Sequence, residues 1–570
     1  MMTFSQYPYS RPDFASFAVE FTELVNQFRT AETSEAQLEI MQRLYELRRQ
    51  FDTARDIARV RFTADTTDAF YKGENQYFDE KMPEYEGLIS DFYKALIGSE
   101  FKGEIVAKYG QHLINLATLS VKTHSSEVVE ELKSENLIGS EYVELLASAE
   151  IPFEGETYNL SGLGPFMVDQ DRVRRKSAHE ARWKFMASQA DKLDDQFDRL
   201  VKTRHSIAQK LGYENFVQLG YDRMLRTDYG PAEVGAFRKH IQEYFVPLAS
   251  ELRKEQAQRL GLPELAYYDE SLTFPDGNAQ PKGNPQWIVD QGGKLYQELS
   301  PSTGEFYEFM TNGELLDLEA RKGKAGGGYC TFIADYKAPF IFANFNGTEG
   351  DVFVLTHELG HAYQCYMSRN QSLLEYNWPT YEACEIHSMS MEYLTWPWME
   401  LFFEQDAHKY RYGHLLSSTL FLPYGTAVDE FQHFVYSHPE ASPADRHAAW
   451  REIEQRYLPT RDYSENEYLS KGRFWQIQRH IYLMPFYYID YVLAQICAFQ
   501  FWEMSMTNRE ETFNTYVELC KQGGSKPFLE LVKHTGLASP FEASTISQVT
   551  DHIRKYLSTV NVAELSKSVS

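Results

Sequence analysis

The chain has 570 residues with 56 Lys+Arg against 82 Asp+Glu, a net charge of −26, and is 43% hydrophobic and 15% aromatic. That length predicts more than one domain or one large helical body. So acidic a balance repels phosphate backbones and anionic lipid, which sets nucleic acid and membrane surfaces aside as partners.

Helical patterns fill the first 200 or so residues. Phe17, Phe21, Leu24 and Phe28 recur at spacings of four, three and four, and Leu38, Met41, Leu44, Tyr45 and Phe51 continue the apolar stripe. The opening MMTFSQYPYSRPDF lacks the basic-then-apolar order of a signal peptide. Gly and Pro break the pattern at Ile151–Met167, where a hairpin or turn cluster is expected. Helical periodicity resumes near Arg172 and runs past Gly212. Phe274–Gln286, rich in Pro, Gly and Asn, reads as a surface loop. Gly323–Gly328 then leads into two short β-like runs, Tyr329–Ile333 and Pro339–Phe345. From Asp351 onward the chain is helical again, and fraying is expected after Leu557. Ile481–Trp502 is nearly long and apolar enough for a membrane span. It carries Asp490, Gln495, Gln500, Pro485 and four Tyr, so a buried helix taking polar groups into a functional interior is the better reading. Five scattered cysteines build no disulfide framework, which suits a reducing, cytoplasmic setting.

His357-Glu358-Leu359-Gly360-His361 lies inside a helical run from Asp351 to about Arg369. Residues four apart stand about 40° apart on one helix face, so both imidazoles can address one ion. A catalytic zinc takes three protein ligands and a water. Glu358, adjacent to the first histidine, is placed to act as general base on that water. Gly360 costs about 1 kcal/mol of helix propensity relative to Ala, which suggests a close approach by something else. The metzincin extension would need Gly at 364 and His at 367, where this chain has Gln364 and Met367. A downstream carboxylate must then complete the set, and Glu375, Glu382, Glu385 and Glu392 are the candidates; the others would be solvated or would orient the histidines. Cys365 and Cys384 lie close in sequence to these residues and read as packed small side chains rather than ligands.

HELGHAYQ followed by Glu385 in EIHSMSME, together with GGGYC (Gly326–Cys330), PFIFANFNGT and HIYLMPFYYIDY (His480–Tyr491), resembles the oligoendopeptidase F branch of the thimet oligopeptidase–neurolysin family of zinc peptidases. The resemblance covers roughly Gly323 to Pro540 and is weaker in the N-terminal part. It implies one Zn²⁺ per chain held by His357, His361 and Glu385, with Ser388 completing an E-x-x-S segment and Glu392 in support. It also implies a His and a Tyr across a cleft from the metal. His480 matches the first. Tyr487, Tyr488 and Tyr491 are open for the second, with Tyr491 favoured and Tyr488 next. Such donors are aimed at the oxyanion of the tetrahedral intermediate.

The expected fold is mostly α-helical, and the resemblance implies a zincin-type two-lobed body with a small β-sheet beside the HExxH helix and a deep central cleft. Residues 1–200 would form a helical N-terminal domain and 201–570 the catalytic domain. Pro339–Phe345 is expected as an exposed edge strand that pairs with an extended peptide. Gly327, Gly328, Ala343, Phe345 and Tyr487 would then line the substrate. The expected activity is hydrolysis of internal bonds in short peptides. A carboxypeptidase or dipeptidyl carboxypeptidase of the same architecture is the alternative, and a non-catalytic peptide-binding scaffold is the rival from another class.

Overall fold

The computed structural model describes residues 2–566. Helices dominate from Phe14 to Leu565, interrupted by a two-stranded and a three-stranded sheet. The N-terminal helices follow the apolar spacing: Phe14–Thr30 begins on an Asp13 cap that accepts from Ala15 and Ser16 N–H, and buries Phe21, Leu24, Val25 and Phe28. With Ser34–Ala64, Ala69–Ile97 and the helices up to Lys122, it closes a separate apolar cluster running from Phe14 to Ala117, to which Leu373 and Tyr376 also belong. A second, much larger core extends from Phe4 and Tyr7 to Leu557 and holds the sheet and the C-terminal helices.

The expected hairpin is present. Strands β1 (Ile151–Phe153) and β2 (Glu156–Tyr158) pair antiparallel around Glu154-Gly155, both with positive φ, the geometry that suits a tight two-residue turn. Phe274–Gln286 is not wholly a surface loop. Phe274 and Ala279 are buried, with the Phe274 ring under the Lys409 ammonium at 4.9 Å and the Arg259 guanidinium at 5.5 Å, and the segment ends inside a helix capped by Asn284. Residues 562–565 form a short helix beyond the point where fraying was expected; residues 567–570 lie outside the described part. No helix among the described residues is long and apolar enough to cross a membrane, and Ile481–Trp502 divides between helices Arg479–Leu483 and Tyr488–Thr507.

The three-stranded sheet places the site. Strands β3 (Leu316–Glu319), β4 (Tyr329–Ile333) and β5 (Ala338–Phe345) run in the order β3-β5-β4, with β5 parallel to β3 and antiparallel to β4. This corrects the expectation for Pro339–Phe345: it is the central strand, hydrogen-bonded on both sides and buried from Ala338 to Ala343, as a continuous apolar run suits. The edge strand on the side of the site is β4, half-buried over Tyr329–Thr331, with Gly328 at its start facing Glu358. Strand β3 was unmarked in sequence because four residues, LDLE, carry too little pattern. β5 feeds through Asn346–Glu349 into the motif helix, Gly350–Ser368, which doubles back across the sheet. The helix that carries Glu385, Tyr381–Leu394, is buried at nearly every position between the motif helix and Tyr488–Thr507. Gly360 allows that packing. A Cβ there would stand 2.7 Å from the His387 carbonyl oxygen and 2.7 Å from Ser388 Cα, so the sequence inference of a close approach holds and the neighbour is backbone.

Candidate active site

Helical spacing brings the two motif histidines to one face, and the second helix delivers Glu385 to them. His357 Nε2 and His361 Nε2 each lie 3.4 Å from Glu385 Oε2, and the three donor atoms stand within 4.8 Å of one another. Of the four candidate carboxylates, only Glu385 joins the histidines in that way. Glu375 binds Arg48 at 2.6 Å and takes the Tyr93 hydroxyl. Glu382 is buried beside Arg226. Glu392 lies behind the site.

Hydrogen bonds fix the orientation of His357 and Glu385, while His361 Nδ1 is buried without a hydrogen-bond partner. Trp396 Nε1–H can only donate, and it donates to His414 Nδ1 at 3.0 Å, which leaves the proton of His414 on Nε2. That Nε2–H reaches Glu392 Oε2 at 2.7 Å, and His357 Nδ1 meets Glu392 Oε1 at 2.7 Å. The carboxylate therefore holds His357 with its Nε2 turned toward Glu385 and His361. Ser388 donates to Glu385 Oε2 at 2.9 Å and the Tyr487 hydroxyl donates to Oε1. Sequence reading placed Glu392 in support but missed His414, which follows it by 22 residues in another helix with no local motif to mark it.

Electrostatically this is a pocket for positive charge. Burial acts to lower the His357 pKa, yet the carboxylates of Glu385 and Glu392 raise it well above the ordinary value. Burial acts to raise Glu385, and the neighbouring His361 and His357 take it well below the usual carboxylate range. Two imidazole nitrogens and one carboxylate oxygen, oriented and buried, fit a zinc ion's donor preference. Glu358 stands beside this set and outside it. Its Oε2 is buried without a hydrogen-bond partner, burial raises its carboxyl above the ordinary value, and its Oε1 would be 3.4 Å from a Cβ on Gly328. An unpartnered carboxylate oxygen at that position is available to a water.

The His480–Tyr491 pair assembles from the sequence HIYLMPFYYIDY. The Tyr491 hydroxyl lies 3.3 Å from His480 Nε2. Tyr424 donates to Gln478 Oε1 at 2.9 Å, which turns the Gln478 amide nitrogen onto His480 Nδ1 at 2.9 Å. Nδ1 thus accepts, and the ring proton sits on Nε2. Burial lowers the His480 pKa to about 4, so the ring is neutral near pH 7 and offers an N–H donor. Gln478 was not foreseen, since its role depends on Tyr424 far away in sequence. The Tyr487 ring packs at a tilt between Tyr381 (4.7 Å) and Tyr491 (4.9 Å), and its hydroxyl, expected to meet substrate, is engaged by Glu385. Tyr488 turns toward Phe421 and Tyr424.

Gly327 and Gly328 sit at the start of edge strand β4. Gly327 has φ +90°, with Arg479 Nη1 2.7 Å from where its Cβ would be, and Arg479 donates to the Gly326 carbonyl at 3.2 Å. Ala343 and Phe345, expected to line the substrate, are buried at 0% and 5% exposure because β5 is central; the Ala343 carbonyl accepts from Lys324 at 2.6 Å. Cys365 packs with Phe332 and Ala334, and Cys384 donates to the Pro379 carbonyl at 3.3 Å, as packed thiols do.

Residues 4–124 match the Peptidase M3 N-terminal domain and residues 304–550 match Peptidase family M3. The chain is similar to a solved Pz peptidase A with an inhibitor, at 52% identity over 98% of this chain and 100% of that one, with a TM-score of 0.97. It is also similar to a Bacillus anthracis structure described as an oligoendopeptidase F, at 50% identity over 99% of both chains and a TM-score of 0.93. An oligoendopeptidase F homolog of Borreliella burgdorferi is 25% identical over 260 residues, 43% of this chain and 42% of that relative's length. The chain belongs to peptidase family M3.

Proposed function

We propose that the protein is a zinc-dependent oligoendopeptidase that hydrolyses internal bonds of short peptides. The observation that carries this reading is the meeting of His357, His361 and Glu385 beside the unpartnered carboxylate oxygen of Glu358, with two neutral hydrogen-bond donors nearby. His357, His361 and Glu385 would hold the ion, which when bound supplies Lewis-acid polarisation of the carbonyl and a more acidic water.

The chain's own groups do the rest. Glu358 takes a proton from the attacking water as its oxygen bonds to the carbonyl carbon, and passes that proton to the amine nitrogen as the C–N bond breaks. The Tyr491 hydroxyl and His480 Nε2–H donate to the oxyanion, with Tyr424 and Gln478 holding the imidazole in its donor tautomer. Gly327 and Gly328 let an extended backbone approach Glu358 closely.

Restriction to short peptides follows from enclosure. Helix Ser34–Ala64 lies over β4, with the Thr63 and Tyr329 hydroxyls 2.6 Å apart and Arg59 over the Tyr329 ring at 5.0 Å. A folded domain would need local unfolding to supply an extended segment there. All five cysteines are unpaired, which suits the cytoplasm.

The test is to follow new termini by mass spectrometry with native albumin, its tryptic digest and a doubly blocked peptide. Cleavage of the digest and the blocked peptide, with intact albumin left alone, is the expected result. Refusal of blocked peptides would point to an exopeptidase, and rapid cutting of folded albumin would overturn the enclosed site.

A further inference from the structure

A cavity of about 850 Å³ lies beyond the catalytic groups, at the end of β5 where the motif helix begins. It borders the site: Phe421 lines it and packs its ring against Tyr488 at 5.7 Å and Tyr491 at 6.4 Å, and Tyr424 lines it as well. Its walls carry both signs of charge, and nearly all of it is spoken for. Glu270 is held by Arg461 at 2.7 Å and Arg253 at 3.3 Å. Asp169 is held by Arg174 at 2.7 Å, and Asp171 caps its own helix through Val173 and Arg174 N–H.

Glu349 is the exception. It lines the cavity, its side chain does not cap the helix it precedes, and among the described residues it makes no ion pair; its Oε1 accepts from the Asn278 amide at 3.1 Å. The cationic side chain that acts on it, Lys409, is committed to Asp276 at 2.9 Å. We infer that Glu349 is a specificity-determining residue that takes the cationic side chain of a Lys or Arg of the peptide substrate; this deepens the peptidase reading and rests on it.

Direction and register follow from the sheet. Antiparallel pairing is somewhat more stable per residue than parallel. A peptide adding antiparallel to the free edge of β4 runs with β5, so its C-terminal half heads toward Asn346–Glu349. Glu349 precedes Glu358 by nine residues, about 13 Å along a helix, which is about four residues of extended chain. The basic residue therefore falls three or four positions after the cleaved bond. Burial of the Glu349 carboxyl raises its pKa to about 7, more than the Asn278 hydrogen bond and the charge of Lys409 offset.

The test uses internally quenched peptides of one sequence with Lys, norleucine or Asp at the third and fourth positions after the cleaved bond. A second series places the same residues before that bond, with free and acetylated N-termini. The wild type should favour Lys over norleucine in kcat/KM by about tenfold, equivalent to ~1.4 kcal/mol, in the first series only. The ratio should fall to about one in Glu349→Gln and turn toward Asp in Glu349→Lys. Because each ratio is taken within one variant, it is independent of how much folded protein a preparation contains. Cleavage of all peptides with no Lys preference in the wild type, or the same preference in Glu349→Gln, would overturn this inference and leave the peptidase reading intact. A preference confined to the second series, or to the free N-terminus, would overturn it too. If the wild type cleaved none of the peptides, the peptidase reading would fail and this inference with it.

Discussion

Replacing Gly360 by Ala sets two effects against each other. Ala is better than Gly in a helix interior by about 1 kcal/mol. The added methyl, however, would sit 2.7 Å from the His387 carbonyl oxygen, 2.7 Å from Ser388 Cα and 3.0 Å from Met391 Cβ. Two of the three are backbone atoms of the helix that carries Glu385, and backbone cannot rotate aside. The helices must separate by roughly half an ångström, a gap that already forfeits much of the contact energy. Overpacking of this kind costs about 1–3 kcal/mol, and with rigid neighbours the upper half applies. The net expectation is a loss of about 1–2 kcal/mol, seen as a lower melting temperature for the metal-free protein. The same displacement moves Glu385 away from His357 and His361, so zinc affinity should fall by about tenfold, within the range that loss of supporting contacts produces. Chelator competition measures it. A Gly360→Ala protein that melts higher than the wild type and binds zinc equally well would refute the close-packing argument.

Glu392→Gln should weaken zinc binding by about 10–100-fold, because the amide cannot accept from His357 and His414 together; unchanged chelator competition would contradict the orienting role. Tyr491→Phe should lower kcat by about 10²–10³ with little change in KM, and a larger kcat loss in Tyr488→Phe would move the donor role to that residue. Acid should destabilise the fold. Burial lowers the pKa of His112, His179, His433 and His480 to about 4 and that of His387 to about 3. Unfolded histidine binds a proton below about pH 6.5, so the unfolded state takes up protons first as pH falls and stability drops between pH 6.5 and 4. Each histidine contributes up to about 1.4 kcal/mol per pH unit, and a melting temperature that stays flat from pH 7 to 5 would contradict that burial.

The parts of the site that were legible in the sequence are those whose geometry is local. His357 and His361 share a face because a helix has 3.6 residues per turn, and Gly360 announced a neighbour because nothing local favours it there. Glu385 could be narrowed to four carboxylates by position, but choosing it took resemblance, since Glu382 and Glu392 lie on the same helix and only packing decides that they meet Arg226 and His414. The two short strands were found, but their order was not. Without β3, which joins from a four-residue run, Pro339–Phe345 reads as an edge, and Ala343 and Phe345 are mistaken for substrate contacts. Phe274 was assigned to a loop on its Gly and Pro neighbours, which describe backbone shape and say nothing of a ring buried under two cations.

In the proposed mechanism Glu358 moves protons while His357, His361 and Glu385 would hold the ion. Zinc per chain, read by mass spectrometry of the dialysed protein alongside turnover of a quenched peptide, tests it in one comparison of the wild type with Glu358→Gln and Glu385→Gln. The expected result is one zinc in the wild type and in Glu358→Gln, with turnover in the latter down by about 10²–10⁴, and loss of zinc in Glu385→Gln. A zinc-free Glu358→Gln protein beside a Glu385→Gln protein with full zinc and turnover would contradict it.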